Sequence, residues 1–288
     1  MAHTLQERYS ALVDEKLRNT LVTVDQYIFN NRYEGDPKAG AVKIPVRNTE
    51  AVVSDYNKAS GASLNTSATT YATLSIDKDK VVNELIDGYD AAAVPDGIVA
   101  ERLDSAGYGL ALDMDTTSIS ALEKASGAVI NGTKTAATTS TAYSLILAAM
   151  TAQTEAGVPQ TGRWAIVSPS FYALLLQDAN FIRQGDLSQE MVNAGAVGMC
   201  AGYPIFVSNN LAKADTTIVS GKKTTTEFIC GHPNWCHRVQ EWAVPVHVQD
   251  LAGSGSFIGA SAVQGRKVYG VTVSKPETLY IKRIETTA

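Results

Sequence analysis

The stretch NKASGASLNTSATT, residues 57–70, carries almost no bulky apolar side chain, and so it cannot pack a core of its own. An alternating segment lies on each side of it. The residues that share a face are Val42, Ile44 and Val46 in the first segment and Ala72, Leu74 and Ile76 in the second. Such alternation predicts strands with one exposed face. Two strands joined by a long polar tip predict a hairpin arm over residues 34–80.

Two helices are predicted before and after this arm. Residues 4–18 place Leu5, Tyr9, Leu12, Val13 and Leu17 at helical spacing. This helix either packs on its own core or lies on a neighbouring molecule, and the sequence leaves both open. The second helix follows Pro95 and covers residues 96–124, which makes it about 40 Å long at 1.5 Å per residue.

The second half of the chain alternates between helices and strands. A helix that begins near residue 142 is predicted to end at Gly157, and Ser168 is predicted to cap another helix with Pro169 at its first position. Strands are predicted at residues 165–167, in YPIFV, EFICG and AVPVHVQD, and at residues 267–273 and 279–284. This order indicates α/β or α+β layers.

Composition excludes several classes of function. The 288 residues are 45% hydrophobic and only 18% charged, which indicates a globular protein whose surface is partly covered by neighbouring copies. The net charge is −5, and the nearest thing to a basic cluster is Lys222 with Lys223, so tight nucleic-acid binding is not expected. Three widely spaced cysteines predict no disulfide framework and favour synthesis in a reducing compartment. No apolar run reaches the roughly 18 residues of a membrane span.

The stretch CGHPNWCH is the strongest candidate metal site, because Cys230, His232, Cys236 and His237 are all side chains that transition metals favour. At most three of them can converge, however, since neighbouring residues on a helix point about 100° apart. The spacing also differs from the usual Cys-x₂₋₄-Cys pattern. We therefore predict two half-buried cysteines, a loop histidine, Trp235 as an anchor and no metal.

Asp113 and Asp115 are the most suggestive paired carboxylates, but they are two residues apart near the end of a helix and so face different sides. No phosphate-binding glycine loop and no nucleophile elbow is present in the sequence. The sequence therefore predicts no catalytic, cofactor-binding or metal-binding residue, and no enzyme.

Four stretches resemble, in the same order along the chain, the major capsid proteins of tailed bacteriophages, which have the HK97-type fold. LSIDKDKVVNELIDGYDAAAVPDGIVAERLDSAGYGLALDMD is similar to the returning strand of the family's extended loop and its long spine helix. RWAIVSPSFYALLLQDANFIRQGD is similar to the strand–proline–helix unit of the axial domain.

The other two stretches follow these. GAVGMCAGYPIFVSNNL matches a glycine-rich family pattern at Gly195, Val197, Gly198, Gly202, Pro204, Ser208, Asn209 and Leu211. GRKVYGVTVSKPETLYIKR resembles the closing strand of the peripheral domain. Each motif alone is moderately specific, but the four together cover about residues 40–285.

The resemblance implies an α+β, HK97-like capsid fold. Its expected parts are an N-terminal arm (residues 1–33), the extended hairpin loop (34–80), a peripheral domain with the spine helix (81–130), an axial domain (131–252) and closing strands of the peripheral domain (253–288).

The resemblance also implies the function of a structural head protein. Such a chain self-assembles through hexamers and pentamers into an icosahedral shell around double-stranded DNA, which it contacts only weakly, and it needs no cofactor and no membrane. Portal, scaffolding and decoration proteins are the expected partners, and the chain is made in the bacterial host cytoplasm and ends in the virion. The alternative is an encapsulin-like nanocompartment shell of the same fold, although those proteins usually lack so long a polar arm tip.

Overall fold

The computed structural model describes residues 16–23, 27–30, 40–46, 50–62, 64–66, 68–88, 98–132, 134–178, 196–211, 218–219, 222–251 and 258–287. The strands are β1 (Ala41–Val46), β2 (Thr70–Ser75), β3 (Lys78–Ile86), β4 (Val129–Ile130), β5 (Trp164–Val167), β6 (Ala196–Cys200), β7 (Tyr203–Val207), β8 (Ile218–Val219), β9 (Lys222–Gly231), β10 (Cys236–Asp250), β11 (Ser261–Val273) and β12 (Tyr280–Thr287). The helices are α1 (Ile98–Glu123), α2 (Ala142–Glu155) and α3 (Pro169–Gln177).

The predicted N-terminal helix lies almost wholly outside the described residues and stays a prediction; of its apolar positions only Leu17 is described, and it is exposed. Among the described helices, none has the length and apolarity that a membrane crossing requires.

The predicted hairpin arm is present as an antiparallel pair. β1 and β2 form a two-stranded sheet in which Ala41 faces Ser75 and Val46 faces Thr70. Ile44 is buried and its neighbour Lys43 is exposed, which confirms the predicted alternation. At its base the arm crosses β11 so closely that a Cβ atom on Gly270 would clash with the carbonyl oxygen of Ser75. A glycine at this position is therefore what allows the arm to lie against the body.

A three-stranded antiparallel sheet in the order β10-β11-β3 carries α1 on one face. The segment that forms β3 belongs to the stretch that resembles the returning strand of the family's extended loop, and it is indeed a strand. In β3 only every second side chain is exposed, and the intervening ones turn toward α1.

The long helix begins two residues later and ends one residue earlier than predicted. Leu110 and Met114 are buried, and Leu103 packs with Val263, as expected for a helix that covers this sheet. Leu112, in contrast, is only half-buried. It lies about 200° around the helix from Leu110, so one helix face cannot bury both.

A second sheet has the order β4-β12-β9-β5-β7-β6, with β8 beside β9. α2 and α3 cover one face, and the end of α1 with residues 27–29 covers the other. β5 is consequently buried on both faces along its whole length. The predicted cap is confirmed, since the Phe171 amide donates to Ser168 Oγ at 3.3 Å and Pro169 begins α3.

The division between the two sheets does not coincide with the predicted segment boundary at residue 252. β10 lies in the segment predicted as axial, yet it pairs with β11. β12 lies in the segment predicted to close the peripheral domain, yet it pairs with β9 and β4 in the larger sheet. The reason is that the chain passes between the sheets at two short 3-10 turns, Pro233–Trp235 and Pro276–Thr278.

Candidate assembly surfaces and the cysteine–histidine cluster

The two cysteines of the candidate metal site lie on opposite sides of the larger sheet. Cys230 packs with Phe171 under α2 and α3, whereas Cys236 packs with Ile229 and Leu279 on the other side. Both thiols are buried, and burial raises the pKa of each well above its usual range. Two side chains separated by a sheet cannot bind one ion.

The two histidines have protein partners of their own. His232 Nδ1 accepts from the Asn234 amide at 3.1 Å, and its Nε2 lies 2.9 Å from the Thr161 carbonyl oxygen, so Nε2 carries the proton. His237 Nε2 lies 2.8 Å from Ser274 Oγ, and burial lowers the pKa of His237 to about 4. Within the described residues, no three His, Cys, Asp or Glu side chains are grouped so as to hold a metal ion. The absence of a metal centre stays a prediction.

Asp113 and Asp115 point in different directions, which matches their spacing. Asp113 accepts a 2.6 Å hydrogen bond from the Tyr269 hydroxyl and lies 3.4 Å from Lys80 Nζ. Burial, followed by this hydrogen bond, raises the pKa of Tyr269 well above its usual range. Asp113 therefore joins α1 to the three-stranded sheet.

Asp115 is fully buried and binds the N-terminal segment to the body. Its Oδ1 accepts from the amides of Val22 and Thr23 at 3.1 and 2.8 Å and from Thr23 Oγ1 at 2.7 Å. Its Oδ2 accepts from Asn210 Nδ2 at 2.6 Å. Sequence reasoning missed this role, although Asp115 shares a helix face with Ile119 and so stands on the buried side.

The glycine-rich pattern found in the sequence forms a tight hairpin and its exit. Ala201 and Gly202 have φ of 49° and 80°, which is the geometry of a two-residue turn that suits twisted strands, and they join β6 to β7. After β7, the Asn210 amide donates to Ser208 Oγ at 3.1 Å, and Leu211 packs in the core with Val22, Ile28 and Phe29. The pattern therefore positions Asn210 against Asp115.

A buried ion pair, Glu227 with Lys282, was also missed. The two charged atoms are 3.9 Å apart across β9 and β12, the Ala137 amide donates to Glu227 at 2.9 Å, and Lys282 donates to the Thr135 carbonyl at 2.7 Å. Burial raises the pKa of Glu227 and lowers that of Lys282. The pair holds the loop before α2 onto the sheet.

The arm carries five exposed large apolar side chains, and we call them the arm surface: Val52, Val53, Tyr56, Leu64 and Tyr71. Val53 is 95% exposed and Leu64 is fully exposed. No described residue of the same chain covers them. The polar composition of the tip predicted an arm without a core, but it did not single out these side chains.

The tip of the arm is ordered by its own hydrogen bonds. The amide of Gly61 donates to the Asn57 carbonyl and the amide of Ala59 donates to Asn57 Oδ1, both at 2.8 Å. Gly61 has a φ of 73°, which a glycine adopts without strain. The tip is thus a defined turn that presents the arm surface on both of its flanks.

Solved capsid structures share this architecture over nearly their whole length. Mycobacterium phage Che8 matches with a TM-score of 0.74 at 24% identity and covers 96% of both chains. The capsid of cyanophage P-SCSP1u matches with a TM-score of 0.73 at 17% identity, over 96% of this chain and 92% of that chain. The mature capsid of bacteriophage PhiM1 gives 0.68 at 16% identity, over 98% and 92%. The protein therefore has the HK97-like fold of phage capsids.

The family model for phage capsid proteins matches residues 84–281, more than half of the chain, and the chain belongs to this family. No curated protein matches the sequence. The protein is a structural component of the virion capsid and is not an enzyme. Membership of this family favours the phage shell over the nanocompartment shell.

Proposed function

We propose that this chain is the major head protein of a tailed phage and assembles through hexamers and pentamers into an icosahedral shell around double-stranded DNA. The observation that carries the proposal is the arm surface. Five large apolar side chains are exposed on the arm, and exposed apolar patches mark sites of association. In a shell, a neighbouring subunit covers them.

The geometry of the arm suits head-to-tail contact. Its two strands pair only with each other among the described residues, so each keeps a free backbone edge for a neighbour. An arm on one subunit that meets the body of the next forms a heterologous contact, and such contacts close into rings. Rings of five and six subunits then share one set of contacts.

The parts of the chain are proposed to correspond to those of a capsid subunit. The three-stranded sheet with α1 serves as the peripheral domain, and the larger sheet with α2 and α3 serves as the axial domain. Residues 34–80 serve as the extended loop, and residues 1–33 as the N-terminal arm. The fixed contact of Asp115 with Val22 and Thr23 supports the idea that this arm starts from the spine helix.

The expected partners follow from the same proposal. Portal, scaffolding and decoration proteins would bind the assembled shell, and synthesis takes place in the host cytoplasm. The net charge of −5 suits a shell that encloses DNA without binding it tightly. No metal takes part: elemental analysis of desalted particles should find far less than one zinc per chain, and a stoichiometric metal that is lost in Cys236→Ser would contradict this.

Charged residues on the arm surface test the proposal. Val53→Asp combined with Leu64→Asp should leave the melting temperature of the unassembled subunit unchanged, because both side chains are exposed and such substitutions cost about 0.5 kcal/mol or less. The same variant should form no shells in electron micrographs, because assembly would bury two unpaired charges.

Gln160→Asp is the matched control, since it adds a charge to an exposed loop away from the arm. It should assemble like the parent. Normal shells from the arm variant would show that the arm surface is not an assembly contact.

A further inference from the structure

The three-stranded sheet ends in two edges of different kinds. On the β10 edge the pairing with β11 shifts register twice between Trp242 and His247, and Pro245 in this stretch has no backbone N–H; both features hinder the addition of a strand. On the β3 edge the pairing is regular along the whole strand, which contains neither proline nor glycine. Among the described residues, no strand lies beside the outer edge of β3. Its regular row of backbone N–H and C=O groups can therefore accept a further strand.

Charged side chains often protect a strand edge, and β3 carries charges on its half-buried face. Lys80 lies 3.4 Å from Asp113, and Glu84 lies 2.7 Å from Arg102, so both charges are paired within the chain. All four side chains remain partly exposed. An approaching strand therefore meets one cation and one anion four residues apart, which favours a partner strand with the opposite order of charges.

The spacing of the two charges makes β3 complementary to a second β3. In an antiparallel pair centred on Val82, Lys80 of each copy lies opposite Glu84 of the other copy. The same register places Val81 opposite Asn83 on the face away from α1. Because side chains alternate between the two faces, this register keeps α1 on the same side in both copies. Opposite charges directly across a strand pair stabilise it, whereas like charges destabilise it.

We propose that β3 pairs with β3 of a second copy across a two-fold axis and joins the two three-stranded sheets into one continuous sheet. The contact also covers apolar surface at the edge, since Val81 is 66% exposed in the single subunit. This inference rests on the proposed function and adds a second kind of contact to it. Head-to-tail contacts close a ring, whereas a contact of one surface with itself joins two rings.

Exchange of the two residues within an ion pair tests the charge pattern. Glu84→Arg with Arg102→Glu keeps the pair inside the chain but places two cations opposite each other across the axis. This two-residue variant should lower shell yield more than about tenfold and accumulate as separate rings in electron micrographs. The further exchange of Lys80→Glu with Asp113→Lys restores opposite charges across the axis and should recover most of the lost yield. The melting temperatures of the unassembled variants show whether the fold is kept.

Cross-linking in an otherwise unchanged chain tests the register and does not depend on charge. Subunits with Val81→Cys are assembled with subunits with Asn83→Cys and oxidised, and a disulfide-linked dimer should appear. Residues directly opposite in an antiparallel pair have Cα atoms about 4.5–5.5 Å apart, which a disulfide can bridge. Leu85→Cys alone is the matched control on the same face, since its two copies would lie roughly 20 Å apart along the strands. The three native cysteines are buried and do not compete.

The outcomes separate this contact from the proposed function. If shells form without the dimer, or if Leu85→Cys gives as much of it, the inference is wrong while the proposed function stands. The same holds if the four-residue variant keeps the melting temperature of the parent but assembles no better than the two-residue variant. If the parent chain forms no shells, both fall.

Discussion

Asp115 shows how one side chain can fix a long segment. Its carboxylate accepts from the backbone amides of both Val22 and Thr23, and it also accepts from the side chain of Asn210. Thr23 in turn accepts from Arg238 Nη1 at 3.2 Å, so the network reaches β10. A charged acceptor in a buried site strengthens each of these bonds.

Asp115→Ala should therefore lower the free energy of unfolding of the unassembled subunit by about 3 kcal/mol or more, because several buried donors lose their acceptor. Urea unfolding measures the loss, and trypsin should cleave sooner after Lys16 and Arg18 as the segment detaches. Asp113→Ala is the control: its site is part-exposed and Tyr269 keeps Thr117 within 3.1 Å, so a smaller loss is expected. Equal losses in the two variants would contradict the role of Asp115.

Only part of this residue-scale picture could be predicted from the sequence. The spacing of Asp113 and Asp115 predicted that their side chains point in different directions. This could be predicted because the direction of a side chain on a helix depends only on residues close by in the sequence. The partners of Asp115 could not be predicted, since Thr23 and Asn210 are 92 and 95 residues away along the chain. The placement of Cys230 and Cys236 on opposite sides of the larger sheet could not be predicted either, because it depends on which face of the sheet each side chain points to.

At the scale of elements, the periodicity of the sequence predicted α1, whereas β3 was expected only from the resemblance to the capsid family. The helix has a long apolar face and was predicted to within two residues at each end. Periodicity alone did not predict β3, because its half-buried face carries charges that usually indicate exposure to solvent. Those charges are neutralised by α1: Glu84 pairs with Arg102 at 2.7 Å and Lys80 with Asp113 at 3.4 Å.

Leu110 and Leu112 offer a matched pair of substitutions on α1. Leu110→Ala removes a buried side chain that reaches Gly265 on β11, and it should cost about 2–5 kcal/mol of the free energy of unfolding. Leu112→Ala should cost clearly less, because that side chain is half-buried. The melting temperatures of both unassembled variants provide the measurement. If the order is reversed, α1 does not cover the sheet through the Leu110 face.

At the scale of the whole molecule, the sequence predicted the hairpin arm but not the division of strands between two sheets. The arm could be predicted because a polar tip between two alternating strands has one simple arrangement. The order of the strands in the sheets could not be predicted. β12 pairs with β9 and with β4, whereas β10 pairs with β11, and all of these strands have similar apolar patterns. The chain crosses between the two sheets through α1 and at the turns of residues 233–235 and 276–278.

The position of β12 has a consequence for the order of events during synthesis. This strand is inserted between β4 and β9, so the larger sheet is incomplete until residues 280–287 have left the ribosome. About 200 residues separate it from the arm surface, and at about 5–20 residues per second their translation takes roughly 10–40 s. Throughout that interval the arm is already outside the ribosome while the body of the same subunit cannot yet be complete. A nascent chain from which β12 has not yet emerged therefore cannot present a finished body to a neighbouring copy, and the emergence of β12 sets the earliest time at which it can.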